Sequence, residues 1–169
     1  AQVGGRVVGI TTFVNPSGQN LNFAVPIEAA RELLKRSPTM MSLEQFAASI
    51  SKAYFLDHQA QEALFGAGDL NRAAELLQQA VAADPTYARV HGRLCHIYGM
   101  QGHVAEAIAA CEQALRLDPN LAWVRANLGA GYVSAGRPEE AIAELKQALA
   151  LDPNLSGAHG NLGGVYYLL

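Results

Sequence analysis

The 169 residues carry a net charge of −3; half are hydrophobic and 16% are charged. That balance excludes an intrinsically disordered chain, offers no basic face for nucleic acid, and suits one modest packed domain with a small appendage. No uninterrupted apolar run reaches the roughly 18 residues that a membrane-crossing helix needs, the uncharged stretch 153–169 being broken by Gly and Asn.

In chain order, Arg6 to Val14 is rich in β-branched and aromatic residues and reads as a strand. Asn15 to Asn20 is a turn cluster, in which Ser17 is a turn residue rather than a nucleophile. Leu21 to Val25 reads as a second strand that Pro26 closes, and Ile27 to Lys35 has helical spacing. Two stretches here, Gly5 to Ile10 and Gly18 to Pro26, resemble the C-terminal end of a trypsin-like serine protease domain of the bacterial HtrA type. The resemblance implies that residues 1–35 are the remnant of a protease barrel. That family's nucleophile motif, Gly-x-Ser-Gly-Gly-Pro, is absent, as are its His and Asp segments, so no catalytic residue carries over. Residues 36–53 begin as a linker, and Ser42 with Gln45 has the form of a capping box that opens a leading helix.

From residue 54 the chain repeats. Asp84-Pro85, Asp118-Pro119 and Asp152-Pro153 recur every 34 residues and divide the chain into units 54–87, 88–121 and 122–155, with a partial fourth at 156–169. Gly68, Gly102 and Gly136 share the position where a helix must stop and the backbone can require positive φ. Ala73, Ala107 and Ala141 share a second position, and Ala80, Ala114 and Ala148 a third; small residues there allow close helix approach. Leu94, Leu128 and Leu162 recur with Tyr98, Tyr132 and Tyr166 in the first helix of a unit. The spacing predicts helices near 54–66, 70–83, 88–100, 104–117, 121–134, 138–151 and 156–168, with Pro138, Glu139 and Glu140 favourable in a first turn. This Leu, Tyr, Ala, Ala, Pro register resembles the tetratricopeptide repeat family across 54–169. The first unit departs from it, with Ala60-Gln61 for Leu-Gly and Leu64 for Tyr. The resemblance implies a mainly all-α, right-handed helix-turn-helix solenoid and a protein-interaction module binding a peptide or partner segment in its concave groove.

The resemblance also places the groove on the first helices. By register these carry His58, Gln59 and Glu62, then Arg89, Arg93, His96 and Met100. The next units add Trp123, Asn127, Ala130 and Ser134, then Asn161 and Gly164. Asn127 and Asn161 stand one repeat apart, and an amide both donates to and accepts from a peptide backbone; the alternative is an Asn solvated or bonded to a neighbouring helix. Arg89 and Arg93 with Trp123 could hold a carboxylate and its apolar neighbour; the alternative is a solvated pair countered by acids. The carboxylate clamp of chaperone-binding repeats is not met, because His58, Glu62, Arg93, Trp123 and Asn127 fill its places. Binding of a chaperone's acidic C-terminus is therefore disfavoured.

Cys95 and Cys111 read as two buried thiols acting as small hydrophobes, with a disulfide as the alternative, and they leave the compartment open. His91, Cys95 and His96 lack further ligands for a metal, and Asp57 beside His58 diverges by about 100° on a helix, so neither a metal site nor a triad is expected. No cofactor is implied. Both ends read as cuts: the chain opens on Ala1 and stops at Leu169, one helix into a unit. Two alternatives to the interaction module remain. The chain could be the tail of a protease, recruiting substrates or driving assembly, or a module that self-associates through the apolar Val165 to Leu169 face.

Overall fold

The computed structural model describes residues 7–14, 20–26 and 43–168. The chain forms two compact units, Ala1–Phe55 and Leu56–Leu169. In the first, β1 (Val7–Val14) pairs antiparallel with β2 (Asn20–Pro26), from Val14 opposite Asn20 to Val7 opposite Pro26, with an irregularity between Val7 and Ile10. The expected strand pair is present; the turn at 15–19 and the helix expected at 27–35 lie outside the described residues.

Seven helices follow among the described residues. They are α1 (Leu43–Ala67), α2 (Leu70–Ala83), α3 (Ala88–Met100), α4 (Val104–Leu117), α5 (Ala122–Ser134), α6 (Pro138–Leu151) and α7 (Ser156–Leu168). Helix α1 differs from expectation. The leading helix and the first helix of the first unit are one uninterrupted element, because no Gly or Pro stands between residues 43 and 65 to end it.

The turns explain the 34-residue period. Asp84, Asp118 and Asp152 each leave the helical region for extended backbone, as a residue before Pro must. Their Oδ1 atoms accept from the N–H groups of Thr86, Asn120 and Asn154 at 2.9, 3.0 and 3.0 Å. Between the two helices of a unit, Gly68, Gly102 and Gly136 take φ of 67°, 77° and 72°, where a Cβ would be strained. At the latter two the next N–H reaches back five residues, His103 to the Tyr98 carbonyl and Arg137 to the Tyr132 carbonyl, each at 2.9 Å. At the first, the Asp69 N–H reaches back six residues, to Ala63 at 2.9 Å, so the end of α1 holds one extra residue.

The two Ala positions lie at the helix contacts: Ala73, Ala80, Ala114, Ala141 and Ala148 are fully buried. Helices α3 and α4 pack as one pair and α5 and α6 as the next, while α3 also touches α5 and α5 touches α7. The first helices of successive units therefore line one face. Tyr98 and Tyr132 tie each unit to the one before. The Tyr98 hydroxyl accepts from Gln78 at 2.9 Å, and the Tyr132 hydroxyl donates to Glu112 at 3.4 Å.

The cysteines correct the expectation of separate thiols: Cys95 of α3 and Cys111 of α4 are joined. Both are buried, and the paired helices bring their Cα atoms to 5.1 Å, inside the range that a disulfide spans.

Candidate functional site

Two adjoining hollows open along the first-helix face, sharing His96 and Asn127 in their walls. One, of about 260 Å³, lies between α1, α3 and α5; the other, of about 280 Å³, lies between α3 and α5. Seven of the residues placed in the groove by sequence line them. Arg93, His96, Trp123 and Asn127 border the first, and His96, Met100, Asn127, Ala130 and Ser134 the second. Arg89 and Asn161 border neither. Arg89 is exposed on α3, and the Asn161 amide donates a long, 3.5 Å bond to the Ala126 carbonyl of α5. The two Asn residues are thus used differently. The half-buried Asn127 amide makes no hydrogen bond among the described residues and faces both hollows. The Ser134 hydroxyl donates to the Ala130 carbonyl one turn back at 3.1 Å, which leaves its lone pairs to the groove.

Arg93 is more constrained than its sequence position suggests. Its Nε lies 2.6 Å from Asp57 Oδ1, yet the N–H is not aligned on that oxygen, so the contact is one of charges rather than a directed hydrogen bond. Asp57 is 3% exposed. Burial pushes its carboxyl above the ordinary value, opposed by the positive charges of Arg93, Arg89 and His58.

The first unit's inner face was misplaced by sequence. His58 and Glu62 are exposed and face each other at 3.7 Å, and the wall of the first hollow is built instead from Ala60, Gln61, Leu64 and Phe65. Those four residues match Cys95, His96, Gly99 and Met100 of the second hollow at a spacing of 35. The extra residue at the end of α1 slips the register by one, and the 34-residue period cannot report it.

Sequence reasoning also missed Gly92, the floor beneath Trp123. A Cβ there would stand 2.6 Å from both Trp123 Cη2 and Val124 Cγ2. Gly92→Ala is therefore expected to destabilise: overpacking costs about 1–3 kcal/mol, against up to about 1 kcal/mol gained in helix propensity. The check is urea unfolding together with Trp123 emission, which should shift as the ring is displaced; an unmoved spectrum at unchanged stability would contradict the packing.

His91 donates from Nε2 to the Pro85 carbonyl at 2.9 Å, and His159 does the same to Pro153 at 2.8 Å. Arg125 serves that position in the unit between, bonding the Pro119 carbonyl. His91 is thus a brace of the interunit turn. Among the described residues no cluster of three His, Cys, Asp or Glu is placed to hold a metal, and no helix is long and apolar enough to cross a membrane.

A profile of the tetratricopeptide repeat matches residues 64–128 and again 100–159. The comparison with curated proteins finds no match. Among solved structures, the chain is similar to the first TPR of Spaghetti (RPAP3) bound to the HSP90 peptide SRMEEVD. The identity is 22%, over 70% of this chain and 94% of that one, with a TM-score of 0.67. It is similar to the Arabidopsis OM64 TPR domain at 16% identity, 72% and 99% coverage and a TM-score of 0.68. It also resembles the second TPR domain of human RPAP3 in complex with the HSP70 peptide SGPTIEEVD, at 23% identity, 68% and 98% coverage and a TM-score of 0.61. At these identities the likeness is one of fold.

Proposed function

Because the chain belongs to the tetratricopeptide repeat family, we propose that residues 54–169 form a protein-interaction module whose first-helix groove holds a peptide or partner segment, with no catalysis by this chain. The observation that carries the reading is the Asn127 amide, half-buried, unengaged and set between two hollows. A peptide backbone running along the groove would satisfy both its donor and its acceptor. The solved relatives bound to HSP90 and HSP70 peptides support peptide binding as the use of such a face. The acidic chaperone tail itself remains disfavoured here, since Asp57 already faces Arg93 and the clamp positions hold other residues.

Asn127→Ala is expected to weaken a groove-binding peptide about tenfold or more, each lost hydrogen bond contributing about 0.5–1.5 kcal/mol. Asn161→Ala should do less, because that amide is turned to Ala126. Titration of peptides by calorimetry checks this; affinity unchanged in the double variant would sink the groove reading.

One observation favours self-association as a second reading. Tyr166 of α7 is 53% exposed, whereas Tyr132 at the same register is 9% exposed. Likewise a Cβ at Gly129 would meet Leu145 of α6 at 2.7 Å, and at Gly163 it would meet nothing within 4 Å. Sedimentation over a range of concentrations tests it, and a monomer throughout would exclude it. The protease-tail reading rests on the motifs in residues 1–35 alone.

A further inference from the structure

The hollow between α1, α3 and α5 has a more specific chemistry than a general groove. Its walls are mostly apolar: Ala60, Leu64 and Phe65 from α1, Ile97 from α3 and Trp123 from α5, with the polar side chains of Gln61, His96 and Asn127 among them and Arg93 as the charged point. At about 260 Å³ it is smaller than the roughly 300–1,000 Å³ of pockets that enclose whole small molecules. It suits one side chain. Phe65 is 77% exposed and stands at the wall. The charge at Arg93 is already met: its Nε faces the buried Asp57 at 2.6 Å. A ligand carboxylate brought to the same guanidinium would stand beside a second carboxylate, an unfavourable pairing of like charges. A neutral carbonyl would use the remaining N–H donors without that repulsion.

We propose that this hollow is an anchor pocket for one large apolar side chain of the Phe or Leu class, carried within an extended peptide, with a neighbouring backbone carbonyl at Arg93. The assignment rests on the groove reading. It excludes an acidic C-terminus from this position.

The test uses the full chain and mixtures of peptides capped at both ends, each mixture with one fixed central residue: Phe, Leu, Ala or Asp. Binding is followed by anisotropy of labelled peptide and by Trp123 emission. Mixtures centred on Phe and Leu are expected to bind at least about tenfold tighter than those centred on Ala, and to shift Trp123 emission. Phe65→Ala, a change at an exposed position, should erase most of that advantage. If the Phe and Ala mixtures bind alike, or if the Asp mixture or a free-acid peptide ending in Phe binds best, the anchor assignment is overturned. An advantage for Phe that survives in Phe65→Ala also overturns it. If the mixtures bind alike but all weaken in Asn127→Ala, the anchor falls and the groove stands; if no mixture binds, both fall.

Discussion

Arg93→Ala is expected to cost about 3–5 kcal/mol of stability at neutral pH, the largest effect of any single change considered. The reason is not the lost attraction, since a buried pair contributes little net stability over a neutral replacement, but the buried charge left behind. Asp57 is 3% exposed and its Oδ1 lies against Arg93 Nε. The pH dependence follows from the raised pKa of Asp57, whose first cause is burial. A carboxyl with a folded pKa above its unfolded value binds more protons when folded. Its contribution is therefore unfavourable above the folded pKa and is relieved as pH falls toward the ordinary value of 3.8. Arg93→Ala removes the nearest opposing charge, so relief should begin at higher pH and the penalty should shrink on acidification. Asp57→Asn, neutral and of similar shape, should abolish that slope. Urea unfolding of the three proteins between neutral and mildly acidic pH provides the check. A penalty for Arg93→Ala that stays constant with pH would show that packing, not charge, is responsible.

Reduction of the Cys95–Cys111 bond is expected to lower stability by about 3 kcal/mol, the loop-closure estimate for a bond across about 15 residues; the separation here is 16. Part of that is offset, because the Cys111 sulfur lies 3.4 Å from the Val124 carbonyl, and a thiol formed there by reduction would be within reach to donate to it. Denaturant midpoints with and without reductant measure the effect, and the Cys95→Ala, Cys111→Ala double variant should lose all response to reductant. Since both sulfurs are buried, alkylation should need unfolding as well as reduction. A midpoint indifferent to reductant would contradict the prediction. The bond also bears on the groove, as Cys95 lines the second hollow beside Asn127, so peptide affinity measured in reductant reports on the same element.

The solenoid was legible because its signals are local. The 34-residue period, the helix ends, the positive φ at Gly68, Gly102 and Gly136, and the buried Ala positions all follow from capping, proline geometry and the 3.6-residue helix turn, which act within a few residues. Seven of the eight residues that the register places on the inner face of α3 and α5 line the two hollows, because those helices keep it. What the sequence could not determine are relations between helices. The extra residue at the end of α1 moved the first wall of the hollow from His58 and Glu62 to Gln61 and Phe65. The engagement of Arg93 by Asp57, the seat of Trp123 on Gly92, the turning of Asn161 to Ala126 and the joining of two cysteines depend on distances across a packed interface. Local propensity carries no record of those distances; only the packing of one helix on the next sets them.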